Sequence, residues 1–293
     1  MIEEIALSDF GYLNLIAIAG IFLIGMPHGS FDGAIAMHLG IADKPKKMIT
    51  FLVSYVLLTA LVVATWMLLP ALTLILFLYI SSYHFGSRDA ISKSGGFHVV
   101  ESLTLGGLVV VAISQFHRQE VDEIFSYLVN GDTSLIWASI NLLSLVVILG
   151  LIECVTVFEK RPEFSKKAAE ILALIAIFAL APPLLGFAIY FCLVHSSRHF
   201  SEVFKTLSKT ISAQRIQLQA LALTGLTWTA GIVAFFLFAD VANPGPAILR
   251  ITFIGLAGLT VPHMILIDGI FTQHTNFGST KLENSEESSI IKF

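Results

Sequence analysis

The stretch Leu193–Phe200, LVHSSRHF, closes an apolar run at about 184–201 and sets two histidines at its end. His195 and His199 are four residues apart, so on a helix both imidazoles leave one face, about one turn apart. Two neutral imidazoles so placed can share one metal ion. They can equally be interfacial histidines capping a membrane helix. The run in front of them bears on the fold, and the remaining histidines bear on the chemistry.

That run is one of many. The chain has 293 residues, 56% hydrophobic and 13% charged, with a mean hydropathy of +0.84. Soluble domains carry ~25% charged residues, so the composition is that of an integral membrane protein. The expected fold is all-α, a polytopic bundle of transmembrane helices. A helix needs ~20 apolar residues to cross a bilayer. Runs at about 11–28, 49–69, 71–86, 97–116, 134–158, 167–181, 184–201, 217–239 and 247–270 give eight or nine spans. The runs at 71–86 and 167–181 are short, and either can be re-entrant or merge with its neighbour. Pro70 and Pro182-Pro183 mark tight turns, because proline breaks the helix ladder. One transmembrane domain is expected over residues 1–278, followed by a polar tail at 279–293. The opening Met-Ile-Glu-Glu is acidic where a secretory signal is basic, which favours a retained first helix.

Loop charge gives an orientation, since lysine and arginine are retained on the cytoplasmic side. Lys44, Lys46 and Lys47 follow the first span, and Arg88 and Lys93 follow the third. Lys160, Arg161, Lys166 and Lys167 follow the fifth; Arg198, Lys205, Lys209 and Arg215 follow the seventh. The intervening loops hold Glu120, Asp122, Glu123, Asp132 and Asp240, with Arg118 their one base. The alternation predicts an outside N-terminus, a cytoplasmic C-terminus and nine spans. The net charge of −4 is spread thinly and leaves no basic stripe for nucleic acid. Cys154 and Cys192 lie in apolar runs and suggest no disulfide framework.

On this topology His28, His84, His195, His199 and His263 all fall at the inner ends of outward-to-inward spans and share one depth. Imidazoles in lipid are costly unless paired, so they default to function. A metal ion satisfies several at once, whereas separate carbonyl contacts near the headgroups are the plainer alternative. His38, His98, His117 and His274 lie in loops or at helix ends and are read as ordinary surface residues. An all-imidazole donor set favours a divalent transition metal over magnesium or calcium. Iron(II) meeting dioxygen suits open positions, and zinc is compatible with the ligand type. Asp32, Glu202 and Asp268 are candidate acceptors for the remote ring N–H groups; solvated helix-end carboxylates are the alternative. Gly25, Pro27 and Gly29 permit a helix break around His28. Tyr83, with Tyr190, Trp228, Met264 and the 23 phenylalanines, can line a channel for an apolar substrate, or pack helices and face lipid.

The ordered set Gly25-x-Pro-His28-Gly-x-x-Asp32, Tyr83-His84-Phe-Gly86, His195-Ser-Ser-Arg-His199 and Pro262-His263-Met resembles the Brp/Blh family of membrane β-carotene 15,15′-dioxygenases. The resemblance extends from about residue 11 to 270. It implies cleavage of the central double bond of β-carotene by dioxygen into two all-trans retinals. It also implies an iron(II) cofactor on His28, His84, His195 and His199, and a multi-pass protein of the cell (inner) membrane. His263 fits the pattern as a further ligand, a hydrogen-bond donor behind the ligands or a pocket residue. The partners implied are β-carotene, dioxygen, the lipid bilayer and, through retinal supply, a microbial rhodopsin.

Three rival classes make different demands. A retinal-binding photoreceptor needs a Schiff-base lysine in a late helix, and none occurs between Arg215 and Lys281. A histidine-lined transition-metal transporter needs water access from both faces, whereas these histidines gather toward one. Two-iron desaturases and hydroxylases carry several histidine boxes, and only His195-x-x-x-His199 has that form.

Overall fold

The computed structural model describes residues 11–92, 95–158, 161–162, 164–238 and 244–271; the side chains of His28, Phe158 and Pro244 are outside that description. Among the described residues every regular element is helical. The polar tail at 279–293, and His274 with it, lies outside the described residues.

The first helical segment, α1, runs Tyr12–His38. Then follow α2 (Pro45–Leu68), α3 (Pro70–Asp89), α4 (Gly96–Phe116), α5 (Arg118–Val129), α6 (Ser134–Phe158) and α7 (Phe164–Leu180). The last three are α8 (183–207), α9 (Ala213–Phe238) and α10 (244–271). Pro45, Pro70 and Pro183 each sit in the opening turn of their helix, where the missing N–H has no partner to lose. Among the described residues six segments, α1, α2, α4, α6, α9 and α10, are long and apolar enough to cross a membrane. The other three expected spans correspond to α3, α7 and α8, which are shorter or more polar.

The short helix α5 occupies a stretch that the loop charges present as an acidic connection. Its apolar residues Val121, Phe125, Leu128 and Val129 recur at helical spacing and are buried, while Glu120 and Glu123 face outward. The buried Trp66 Nε1 donates to the Leu128 carbonyl at 3.2 Å, tying α5 to the end of α2. Asn130, in the left-handed conformation at φ 57°, ends the helix.

The closest packing in the bundle is between α3 and α4. A methyl group at Gly86 would lie 1.8 Å from the Ser102 carbonyl oxygen, and one at Gly106 would lie 1.8 Å from that of Ser82. The pairs Ser82-x-x-x-Gly86 and Ser102-x-x-x-Gly106 therefore let the two backbones touch, as small residues four apart do in membrane helices. His84 lies within this crossing, so its helix is fixed in rotation and depth. Just beyond it, the buried Glu101 accepts from the backbone N–H groups of Ile91 (2.6 Å) and Ser92 (2.9 Å) and holds the connection after α3. By contrast α2, α6 and α9 direct rows of leucine, isoleucine and valine outward, among them Leu57, Leu145 and Leu237.

Candidate metal centre

The three segments that bear His28, His195 and His263 depart from α-helical geometry beside the histidine. In α1 a wider π turn (Ile21–Gly25) runs into a tighter 3₁₀ stretch (Met26–Phe31) that contains His28. The helix continues through Gly25, Pro27 and Gly29, so the expected break is a change of pitch. In α8 the π stretch Ile189–His195 ends on His195, and in α10 the π stretch Ile265–Phe271 follows His263. Such turns insert a residue, re-aim the side chains after it and occur often at functional sites.

Four rings meet beside these stretches, His84 joining them from the regular helix α3. His84, His195, His199 and His263 are 0%, 3%, 1% and 1% exposed, so all four are sealed from solvent. Ring centroids lie 5.0 Å apart for His84–His195, 5.3 Å for His84–His263 and 5.1 Å for His199–His263. His195 and His199 stack parallel, 4° apart in plane and 6.4 Å between centroids, as two residues one turn apart do. The His28 side chain lies outside the described residues. Its backbone turn nevertheless borders the cluster: a methyl at Gly29 would lie 3.5 Å from Asp32 Oδ2 and 3.6 Å from His263 Nδ1.

Two carboxylates stand behind the rings. Asp268 accepts from His84 Nδ1 at 2.8 Å, and Asp32 accepts from His263 Nδ1 at 2.8 Å. Asp32 thus bonds His263 across 231 residues of sequence. Glu202, three residues after His199, instead faces outward with 62% of its side chain exposed, and Arg88 is 3.5 Å away. Tyr83 is half-buried on α3, about a quarter-turn from His84.

Several partners here carry no obvious sequence signal. Tyr55 donates to Asp32 Oδ2 at 2.9 Å from α2, a helix whose apolar window is otherwise turned outward. Arg198, inside the histidine pair's own motif, donates to Asp89 Oδ1 at 2.6 Å and Glu170 Oε1 at 2.7 Å, clamping α8 to α3 and α7. Glu101 had a usable signal, a lone carboxylate within an apolar run. His38, His98 and His117 are not simply surface residues: they bond the Thr210 hydroxyl, the Ser92 carbonyl and the Phe178 carbonyl at 2.7, 2.9 and 2.8 Å.

Imidazole nitrogens are donors of the kind that divalent transition metals take. Among the described residues no three His, Cys, Asp or Glu already stand at the mutual spacing of a closed metal shell. The rings are nonetheless neighbours at suitable separations, since imidazoles bound to one ion through bonds of ~2.0–2.1 Å have centroids roughly 4.5–6.5 Å apart. His84 Nε2 is buried and has no hydrogen-bond partner among the described residues, a costly arrangement for a ring nitrogen unless something else meets it.

The surroundings are apolar. A narrow cavity of about 90 Å³ is lined by Leu74, Phe77, Phe85, Val109, Leu184 and Phe187. Phe85 is also a wall of the site, its ring 4.8 Å from that of His195. A wider, more open groove of about 750 Å³ runs between α1, α8 and α9, past Pro27, Cys192, Ser196 and Phe200.

The family model described as beta-carotene 15,15′-dioxygenase matches residues 19–271. The chain belongs to this family. A relative from an uncultured marine bacterium, 66A03, named beta-carotene 15,15′-dioxygenase, is 36% identical over 262 residues, covering 89% of this chain and 94% of that protein. No solved structure matches the chain. The matched region takes in His28, His84, His195, His199 and His263 together with Asp32 and Asp268.

Proposed function

We propose that this membrane enzyme uses dioxygen to cleave the 15,15′ double bond of β-carotene, giving two all-trans retinals, at an iron(II) ion held by His28, His84, His195 and His199. Family membership and the named relative support the reaction. The observation that carries the metal reading is the meeting of His84, His195, His199 and His263 in a sealed apolar interior. A transporter needs a wet path through the donors, and these rings are 0–3% exposed.

Bound iron(II) supplies a place for dioxygen to bind and become reactive. The protein's own residues do the rest. Asp268 holds the His84 Nδ1 proton, which leaves Nε2 as that ring's donor and raises its basicity. The Arg198 clamp fixes the rotation of the helix that presents His195 and His199. Phe85, its ring 4.8 Å from that of His195, and its apolar neighbours keep water from the reacting bond. The apolar groove along α8, lined by Cys192, Ser196 and Phe200 beside the histidine pair, offers a long hydrocarbon a way in from the bilayer, and central cleavage requires its midpoint to be held at the histidines. The loop charges support nine spans in the cell (inner) membrane, N-terminus outside, with the site near the cytoplasmic face. Retinal made there is available to a microbial rhodopsin in the same bilayer.

The test is expression in cells that make β-carotene. The wild type bleaches them and retinal appears; His28→Ala, His84→Ala, His195→Ala and His199→Ala each keep the colour, with cleavage reduced at least about 100-fold, a loss of ~2.7 kcal/mol. Carotene left intact by folded, iron-loaded wild type contradicts the substrate, and full cleavage by the variants contradicts the ligands.

A further inference from the structure

His263 occupies a place in the cluster equivalent to that of His84. Each ring is buried, and each has Nδ1 held by a carboxylate at 2.8 Å. His263 meets His84 and His199 nearly edge-on, at interplanar angles of 85° and 81°. We propose that His263 is an additional ligand of the metal, oriented by Asp32, with Asp32 in turn positioned by Tyr55. The inference rests on the metal reading above.

With the Nδ1 proton donated to Asp32, the lone pair of His263 lies on Nε2, and the carboxylate makes that nitrogen a better donor. Asp32 is 1% exposed, so it cannot drift to solvent as a helix-end carboxylate would. Its second oxygen accepts from Tyr55, whose hydroxyl also lies 3.2 Å from the Leu259 carbonyl, one turn before His263 on α10. Tyr55 therefore touches both the carboxylate and the helix that carries the ring. A histidine serving only to seat Asp32 has no reason to stand edge-on to two more imidazoles at the spacing a shared ion sets.

Cobalt(II) loaded into the purified, metal-stripped protein tests this through binding and proton NMR, independently of carotene cleavage. The wild type binds one cobalt per chain. It shows strongly shifted, slowly exchanging imidazole N–H signals, among them one from each of the carboxylate-held His84 and His263. His263→Ala loses one of these signals, binds cobalt at least about tenfold more weakly, and regains affinity with free imidazole; Asp32→Asn weakens cobalt ~10–100-fold. Tyr55→Phe, which keeps the ring and the packing, shifts the signal that His263→Ala removes and leaves the His84 signal in place. That variant decides the matter if His263→Ala does not fold, and a set of signals that it leaves unmoved then overturns the proposal. If His263→Ala keeps every signal and full affinity, His263 is no ligand although the metal site stands. If the wild type takes up neither cobalt nor iron, the metal reading falls and this inference with it.

Discussion

The neighbouring segments α8 and α9 are both apolar, and they are built for opposite tasks. α9 is a regular helix of 26 residues whose one buried residue is Ile216; Leu226, Phe236, Leu237 and Phe238 all point outward. α8 opens on a proline, widens into a π stretch, carries two buried histidines and is pinned by Arg198 to two other helices. By length and hydropathy α9 qualifies as a membrane span and α8 does not. Ser196, Ser197, Arg198 and His199, which make α8 useful, are what lower its hydropathy. Between these two helices, the regular one turns its apolar side chains outward and the irregular one carries histidines of the site, although His84 comes from the regular helix α3.

The contrast can be broken most severely on the side of the site. Gly86→Val drives a side chain into the backbone of α4, which cannot yield, and displaces the helix that presents His84. The expected outcome is no monodisperse protein after extraction, read by size-exclusion chromatography. A folded, active variant would remove the crossing from the account. A middle effect comes from the clamp. Arg198→Leu takes from Asp89 the cation it shares with Glu170, which keeps only Lys167 at 3.4 Å. Because the guanidinium is 44% exposed, the cost is discounted to about 1–3 kcal/mol. Thermal unfolding should show a drop of several degrees, and Arg198→Lys should restore only part of it, because the lysine ammonium ends one bond short of the Nη1 that donates to both carboxylates. The smallest effect belongs to the other helix. Phe236→Ala on α9 removes a ring that is 79% exposed, and stability and cleavage should stay within about 0.5 kcal/mol of wild type. A large loss there would mean that α9 has a partner and that the contrast is drawn in the wrong place.

How much of this was legible in the sequence follows the same division. Apolar runs gave the positions of the long helices because lipid-facing surface is a local, compositional signal. Loop charge predicts one depth for five histidines, and the rings of His84, His195, His199 and His263 stand together. The partners behind them were less so. Asp32 reaches His263 on a segment 231 residues away, and Tyr55 is one polar group on an outward-facing helix, so neither pairing leaves a periodic trace. Glu202 shows the converse: correct spacing from His199 placed it on an exposed face. The helix α5 was hidden because its charged outer face dominates its composition, although its apolar residues keep helical spacing.

The central claim is that imidazoles from separate helices hold one iron ion. X-ray absorption at the iron edge of the purified protein tests it most directly. The account predicts one iron per chain with a first shell of nitrogen and oxygen at ~2.0–2.2 Å and the outer-shell scattering of several imidazole rings. An iron–iron vector, a sulfur shell, or protein that is folded and cleaves carotene with no iron bound would contradict it.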